Sequence, residues 1–429
     1  MGASASNGGP DIRRTIDAVW RIEAPALIAG LTRMVRDVGL AEDLAQDALV
    51  VALERWPQSG VPDNPGAWLM ATAKHRAIDV LRRGTRLEQK QEQIARAIET
   101  DLAAGSSDPT ADAAAAQQVG DDLLGLIFVC CHPVLSTEAR VALTLRLLGG
   151  LTTDEIARAF LTPRATVAQR IVRAKRTLSA ARVPFEVPAG EELAERLPAV
   201  LGVIYLVFNE GYSATAGADW TRPELCEDAL RLARILAELM GREPEVHGLA
   251  ALLELQASRL RARRGLGGEP VLLLDQDRSR WDLLLIGRGL RALDRAEALS
   301  GALGPFTLQA AIAACHARAR TPEQTDWVRI VALYDGLAQL TGSPVVELNR
   351  AVAVAMAFGP AAGLELVDAL ADEPALAGYH LLPSVRADLL ARLGRRDEAY
   401  AEVTRAAGLT GNERERALLL ARAAALAAG

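Results

Sequence analysis

At 429 residues the chain is longer than one hydrophobic core usually organises, and aromatic residues make up only 4% of it. Two or three domains are expected from that length, and a composition rich in Ala, Leu, Arg and Glu excludes a β-rich fold in favour of an all-α one. The formal net charge of −6 excludes a surface uniformly attractive to nucleic acid, and no uncharged apolar run reaches the length of a membrane span. The chain is expected to be cytoplasmic, with no membrane partner.

Residues 1–10 read as a disordered tail. Apolar residues at helical spacing then run from about Ile12 to Arg83, and residues 11–90 form a first helical domain. The stretch Pro57–Pro65, with three prolines, is expected to break it as a loop. In Ala41–Leu53 the positions Leu44, Ala48 and Ala52 make an inward stripe, and Asp43, Gln46, Asp47 and Glu54 make an acidic-amide face suited to a basic partner. After Pro65 a helix buries Leu69, Ala73, Ala77 and Val80 and presents Trp68, Thr72, His75, Arg76, Asp79 and Arg83. A ring interleaved with cations suits single-stranded nucleic acid, because rings stack on unpaired bases while cations follow the backbone. Taken alone, Trp68 is more simply an aromatic packed on a neighbour.

Residues 91–122 carry Glu92, Glu99, Asp101, Asp108, Asp112, Asp121 and Asp122 against the single Arg96, and read as a frayed helix leading into an acidic linker. The adjacent cysteines Cys130 and Cys131, like Cys226 and Cys315, lack metal-ligand spacing, so buried free thiols are expected, with no metal and no cofactor.

A second block, 123–184, contains a helix-turn-helix layout. Thr152 or Thr153 can cap a first helix, Leu161-Thr162-Pro163 supplies the turn, and Val167, Ile171, Ala174 and Leu178 face inward from the second helix. Arg164, Thr166, Gln169, Arg170, Arg173 and Arg176 then lie on outward or flanking positions, a face suited to a major groove, though a solvated basic surface helix has the same composition.

Residues 185–429 form a long series of amphipathic segments separated by Gly or Pro. Arg350-Ala351 and Arg386-Ala387 recur at a spacing close to the roughly 34-residue tetratricopeptide period, which predicts repeat-like helical packing. The segment Asp275–Asp282 has the aspartates of a calcium loop but puts Arg280 where glycine is needed and Ile286 where glutamate is needed. A salt-linked corner between these aspartates and Arg278 and Arg280 is the simpler expectation. No nucleophile-base arrangement recommends an enzyme.

The segment around Ala41–Asp47 resembles the polymerase-clamp-binding part of sigma region 2, Trp68–Arg83 its promoter-melting part, and Leu135–Leu178 sigma region 4. Order and spacing are similar to those of extracytoplasmic-function (ECF, group IV) sigma factors of the sigma-70 family. Val207–Ser213, Asp275–Asp282 and Ser343–Ala353 resemble the subfamily with a C-terminal tetratricopeptide-like extension. The resemblance implies an all-α chain made of a region 2 helical domain (11–90), a linker (91–122), a region 4 helix-turn-helix domain (123–184) and a tetratricopeptide-like regulatory domain (185–429). It implies promoter-specific transcription initiation, with core RNA polymerase and promoter DNA, double-stranded at −35 and melted at −10, as partners.

By the same resemblance Asp43, Gln46 and Asp47 would contact core polymerase. Asn64, Trp68, Lys74, His75, Arg76, Asp79 and Arg83 would engage the −10 element, with a flipped base held by the loop 58–64. Arg164, Thr166, Ala168, Gln169, Arg170, Arg173 and Lys175 would engage the −35 element. Ala168 and Gln169 replace the basic and small hydroxyl residues that many members carry after the Thr-Val pair. Glutamine can pair with adenine, so the family's preferred −35 sequence does not transfer directly. The extension is expected to contact the sigma domains within the chain and to tune their activity. The alternative is a ligand-sensing helix-turn-helix regulator that acts without core polymerase.

Overall fold

The computed structural model describes residues 9–84, 109–214, 216–217, 220–265 and 269–428, and the tail expected over 1–10 falls almost wholly outside them. The chain divides into two compact units, 1–203 and 204–429. Both are built from helices, as the composition predicts.

The first unit opens with α1 (Gly9–Val35), α2 (Val38–Ser59) and α3 (Pro65–Gly84). The carboxylate of Asp37 accepts the Leu40 N–H at 2.8 Å and starts α2, and Leu44, Ala48, Ala52 and Trp56 form its buried stripe. Pro57 is not in a loop: α2 runs through it to Ser59. The proline removes one helical N–H, but fully buried Trp56 beside it anchors the last turn. Gly60, at φ +82°, ends the helix by donating its N–H to the Trp56 carbonyl at 2.9 Å.

Helix α4 (Pro109–Cys130) begins inside the segment expected as a linker, so that segment is helical from Pro109 onward, and the part before it lies outside the described residues. Asp122 is buried in α4 and accepts Arg33 Nε at 3.0 Å and Gln118 Nε2 at 2.9 Å. An acid read as solvated linker thus ties α4 to α1. Helices α5 (Thr137–Leu147), α6 (Thr153–Ala159) and α7 (Arg164–Ala180) follow. The unit continues beyond Pro184 and Pro188 into α8 (Gly190–Tyr212), where Leu197, Val200, Leu201 and Val203 are buried. Arg196 donates from Nη2 to the Phe128 carbonyl at 2.9 Å and lies 5.5 Å from that ring's centroid.

In the second unit α9 (Pro223–Leu239), α10 (Pro244–Ala257), α12 (Pro305–Arg318), α14 (Pro344–Phe358) and α15 (Pro360–Ala369) each open on a proline, whose missing N–H costs nothing in a first turn. They alternate with α11 (Leu283–Leu299) and α13 (Trp327–Thr341), and α16 (Leu381–Arg392), α17 (Arg396–Leu409) and α18 (Glu413–Ala428) complete the series. From α12 on, each helix packs against the next. A short parallel pairing of β1 (Ala216–Gly217) with β2 (Gly411–Asn412) joins the early and late parts of this unit.

The repeat signal has a structural counterpart. Arg350 of α14 reaches back to Asp335 of α13 at 2.6 Å, and Arg386 of α16 reaches back to Asp368 of α15 at 2.8 Å, with Ala351 and Ala387 buried beside them. The salt-linked corner expected at Asp275–Asp282 does not form. Asp277 instead accepts the Ser279 N–H and hydroxyl, Asp282 caps α11 through the N–H groups of Leu284 and Leu285, and Arg278 donates inward to the His316 and Ala319 carbonyls. Short carboxylates two or three residues before free N–H groups bond the backbone in preference to a neighbouring guanidinium.

All four cysteines are free and buried, and burial pushes the Cys131 thiol to about 11 and that of Cys226 to about 12. Among the described residues no cluster could hold a metal ion, and no helix is long and apolar enough to cross a membrane.

Candidate nucleic-acid interface

The helix-turn-helix forms in the first unit as α6, a short turn and α7. Thr152, rather than Thr153, is the cap. Its hydroxyl accepts the Glu155 N–H at 3.2 Å, and Glu155 returns the bond by accepting the Thr152 N–H at 2.8 Å. Burial alone would raise the Glu155 pKa, but the Thr152 donors, with Arg21 and Arg158, hold it below the usual carboxylate range. Leu161 turns the chain at φ +47°, and Pro163 precedes the first residue of α7.

Val167, Ile171, Ala174 and Leu178 are buried on α7, as their spacing requires. The opposite side exposes Arg164, Thr166, Gln169 and Arg173, while Ala168 and Arg170 are half-buried at its edges. Arg164 is paired with Asp154 at 3.0 Å across an exposed gap, a contact that water and salt weaken. The exposed face therefore offers amide, hydroxyl and guanidinium groups near the N-terminus of α7 and cations further along, the order a major-groove helix needs. Lys175 stands apart from it. Its ammonium pairs with the carboxylate of Glu42, a residue only 3% exposed, which also accepts Arg146 Nε at 2.6 Å.

On α2, Asp43 and Asp47 are exposed and Gln46 is half-buried, its amide donating to Glu42 at 2.5 Å. Asp43, Asp47 and Glu54 line up along the helix with Val50, which is 52% exposed, and Leu53, 41% exposed, lies alongside. Sequence reading missed these two apolar residues and Glu42. Val50 and Leu53 were detectable as apolar positions off the Leu44-Ala48-Ala52 stripe. The cationic partners of Glu42, Arg146 and Lys175, are distant in sequence and left no local sign.

On α3, Asn64 caps the helix by accepting the Ala67 N–H at 3.0 Å. Trp68 packs edge-on against Trp56, with ring centroids 5.3 Å apart and planes at 62°. Its free side borders an open hollow of about 450 Å³ that also touches Glu54, Arg55, Gln58 and Ser59. Trp68 therefore packs on a neighbour and still adjoins the loop expected to hold a flipped base. His75, Arg76 and Asp79 are exposed and Lys74 is half-buried, while Leu69, Ala73 and Ala77 face the core. The side chains of Val80 and Arg83 lie outside the described residues.

Comparison with known proteins agrees with this geometry. Residues 20–87 match the model of sigma-70 region 2, residues 126–178 that of sigma-70 region 4, and residues 196–297 a family of unknown function, DUF6596. An uncharacterized protein of Rhizobium meliloti (strain 1021) is 44% identical over 404 residues, 94% of each chain. The ECF RNA polymerase sigma factor SigK of Mycobacterium ulcerans is 31% identical over 152 residues, 34% of this chain and 75% of SigK. The probable ECF RNA polymerase sigma factor SigI of Mycobacterium tuberculosis is 28% identical over 182 residues, 42% of this chain and 60% of SigI. No solved structure matches. With regions 2 and 4 in order, and with SigK matched over three quarters of its length, the chain belongs to the ECF RNA polymerase sigma factors and carries a large helical C-terminal extension.

Proposed function

We propose that this sigma factor directs promoter-specific initiation in the cytoplasm through three separate faces of its first unit. Asp43, Gln46 and Asp47, extended by Val50 and Leu53, bind core polymerase. Trp68, Lys74, His75, Arg76, Asp79 and Arg83, together with Asn64 and the loop before it, bind the melted −10 strand. Arg164, Thr166, Gln169, Arg170 and Arg173, with Ala168 at the base edges, bind the duplex −35 element. The observation that carries the reading is the solvent-facing side of α7, where Arg164, Thr166, Gln169 and Arg173 stand exposed opposite the buried Val167-Ile171-Ala174-Leu178 stripe.

Run-off transcription with core polymerase tests it. Core plus the full chain is expected to initiate at a defined start, and initiation should fall by an order of magnitude or more when Asp43 and Asp47 are both changed to Ala. Tight footprinting of duplex DNA without core, with no initiation once core is added, would instead favour a regulator that acts on DNA alone. We further propose that the extension contacts the sigma domains and tunes their output. Comparison of the full chain with residues 1–203 tests this, and the cut belongs at 203 because Arg196 and the apolar start of α8 complete the first core. Equal transcript yields would refute tuning.

Arg173 is exposed on α7 beyond the residues nearest the base edges, which suits a phosphate contact. Arg173→Ala is therefore expected to weaken promoter binding about equally on all sequences and to reduce the slope of log K against log salt by about 0.9, one phosphate's worth. Binding assays at several salt concentrations on matched and mismatched promoters read both numbers. A loss confined to one base position would assign Arg173 to sequence reading.

A further inference from the structure

The second unit contains a concentration of positive charge that the promoter reading does not use. Arg259 (9% exposed) and the half-buried Arg263 and Arg278 gather around three aromatic rings. The Arg263 guanidinium lies 3.7 Å from the Tyr212 ring centroid and 4.5 Å from that of Trp220. Arg259 lies 5.9 Å from Tyr212 and 5.7 Å from Trp281, and Arg278 lies 4.9 Å from Trp281.

None of these three arginines has a carboxylate partner among the described residues. Arg259 bonds the Gln256 amide, Arg263 the Tyr212 carbonyl, and Arg278 the His316 and Ala319 carbonyls together with the Thr325 hydroxyl. Donors remain over: Arg263 Nε, Arg278 Nε, Trp281 Nε1 and the Tyr212 hydroxyl are buried without a hydrogen-bond partner. Trp281 itself is only 5% exposed.

Buried charges in folded proteins are paired or neutralised, because an ion withdrawn from water without compensation is strongly unfavourable. Cation–π contact with three rings offsets part of the cost but leaves like charges side by side. The field they make is legible in their neighbour His316, whose pKa falls to about 3 through burial and then through Arg259 and Arg278. Burial first, and repulsion by Arg259 with it, lower the pKa of both Arg263 and Arg278, opposed by Tyr212 at Arg263 and by Glu323 at Arg278. Trp281 also lines an open cleft of about 500 Å³, together with Arg261, Arg264, Ser279, Arg280 and Asp282. With three arginines against one aspartate, the lining of this cleft attracts anions to the neighbourhood of Trp281.

We propose that Arg259, Arg263 and Arg278, framed by Tyr212, Trp220 and Trp281, form a binding site for a small phosphorylated anion. A phosphoryl group carries close to two charges and three acceptor oxygens, so one ligand can neutralise most of the cluster and satisfy the leftover donors. Guanidinium forks match that geometry better than ammonium groups do. Tyr212, Trp220, the three arginines and Trp281 all fall within residues 196–297, the stretch that matches the family of unknown function, so the site gives that segment a chemical role.

Titration of the full chain with inorganic phosphate and with pyrophosphate tests the site without DNA or polymerase, so its outcome is independent of the promoter reading. With chloride at matched ionic strength as control, saturating pyrophosphate is expected to raise the midpoint of thermal unfolding by about 4 °C or more and to change tryptophan fluorescence. Arg263→Met should abolish both responses while its unliganded midpoint stays within about 2 °C of the parent's, because one of three mutually repelling charges has gone. Arg259→Met is the second variant if the first fails to fold, with the same outcome expected. The proposal is overturned if pyrophosphate acts no more strongly than chloride on the parent chain, or if it stabilises a folded variant as much as the parent.

Discussion

Replacing Glu42 by alanine is expected to destabilise the first unit by about 3–5 kcal/mol and, at the same time, to strengthen the chain's binding to nonspecific duplex DNA. The first effect follows from burial. Glu42 is 4% exposed at its side chain, while its partners Arg146 and Lys175 are 22% and 19% exposed, so this pairing is shielded from the solvent that makes surface salt bridges weak. Removing the single carboxylate leaves two cations poorly hydrated and without a counter-charge. Removing either cation leaves the other in place, so Lys175→Ala should cost less than Glu42→Ala.

The second effect follows from where Lys175 sits. It belongs to α7, the helix whose exposed side carries Arg164, Gln169 and Arg173, yet its ammonium is held by α2, one residue from Asp43. A lysine bound to Glu42 cannot also neutralise a phosphate. Freed by the substitution, it should add about one phosphate contact and steepen the salt dependence of DNA binding by about 0.9. Chemical denaturation and salt-dependent DNA binding check the two effects separately, and Glu42→Gln, which keeps the volume, isolates the charge. A stability loss under about 1 kcal/mol would mean that water replaces the carboxylate. An unchanged salt slope would mean that Lys175 remains folded inward.

Glu42 also marks the limit of what sequence reading could reach. The pattern Val167, Ile171, Ala174 and Leu178 is local, since helical geometry alone puts residues three and four apart on one side, and the structure buries all four. Leu44, Ala48 and Ala52 were legible for the same reason. Nothing local marks Glu42 as buried, because it lies 104 residues from Arg146 and looks like one more acid on an acidic helix. Pro57 was misread because proline's rule concerns the helix interior in isolation, whereas the buried Trp56 indole stabilises the turn by packing. The residue types of Asp275–Asp282 suggest carboxylates paired with their neighbouring arginines, but Arg278 turns inward, exposed Arg280 bonds the Arg264 carbonyl, and Asp277 and Asp282 bond backbone N–H groups. Arg259 and Arg263 stand four residues apart, with the Arg263 N–H bonded to the Arg259 carbonyl at 3.0 Å, but Arg278 and the rings of Tyr212, Trp220 and Trp281 join them only through tertiary folding, so the cluster as a whole leaves no periodic trace.

Trp56 is the residue on which the expected −10 interface most depends, and two substitutions should separate its roles. The indole is 2% exposed and meets Trp68 edge-to-face. Trp56→Ala removes a large buried side chain and opens a cavity between α2 and α3, at an expected cost of about 3–5 kcal/mol. Trp68 then loses the surface that fixes its ring beside Gln58 and Ser59, so promoter opening should fail in the folded fraction as well. Trp56→Phe should behave differently. The Trp56 Nε1 donor is buried without a partner, and removing an unsatisfied donor recovers about 1–3 kcal/mol, which offsets much of the packing lost with the smaller ring. Its net change is expected within about 1.5 kcal/mol, with an aromatic support for Trp68 retained. Urea denaturation measures the stability of both variants. Permanganate reactivity of unpaired −10 thymines, in complexes with core polymerase at equal folded concentration, measures opening. Full opening by Trp56→Ala would show that Trp68 holds its position without Trp56. Lost opening in a stable Trp56→Phe would mean that the indole itself, rather than an aromatic surface, is required, and the −10 platform would then include Trp56 as well as Trp68.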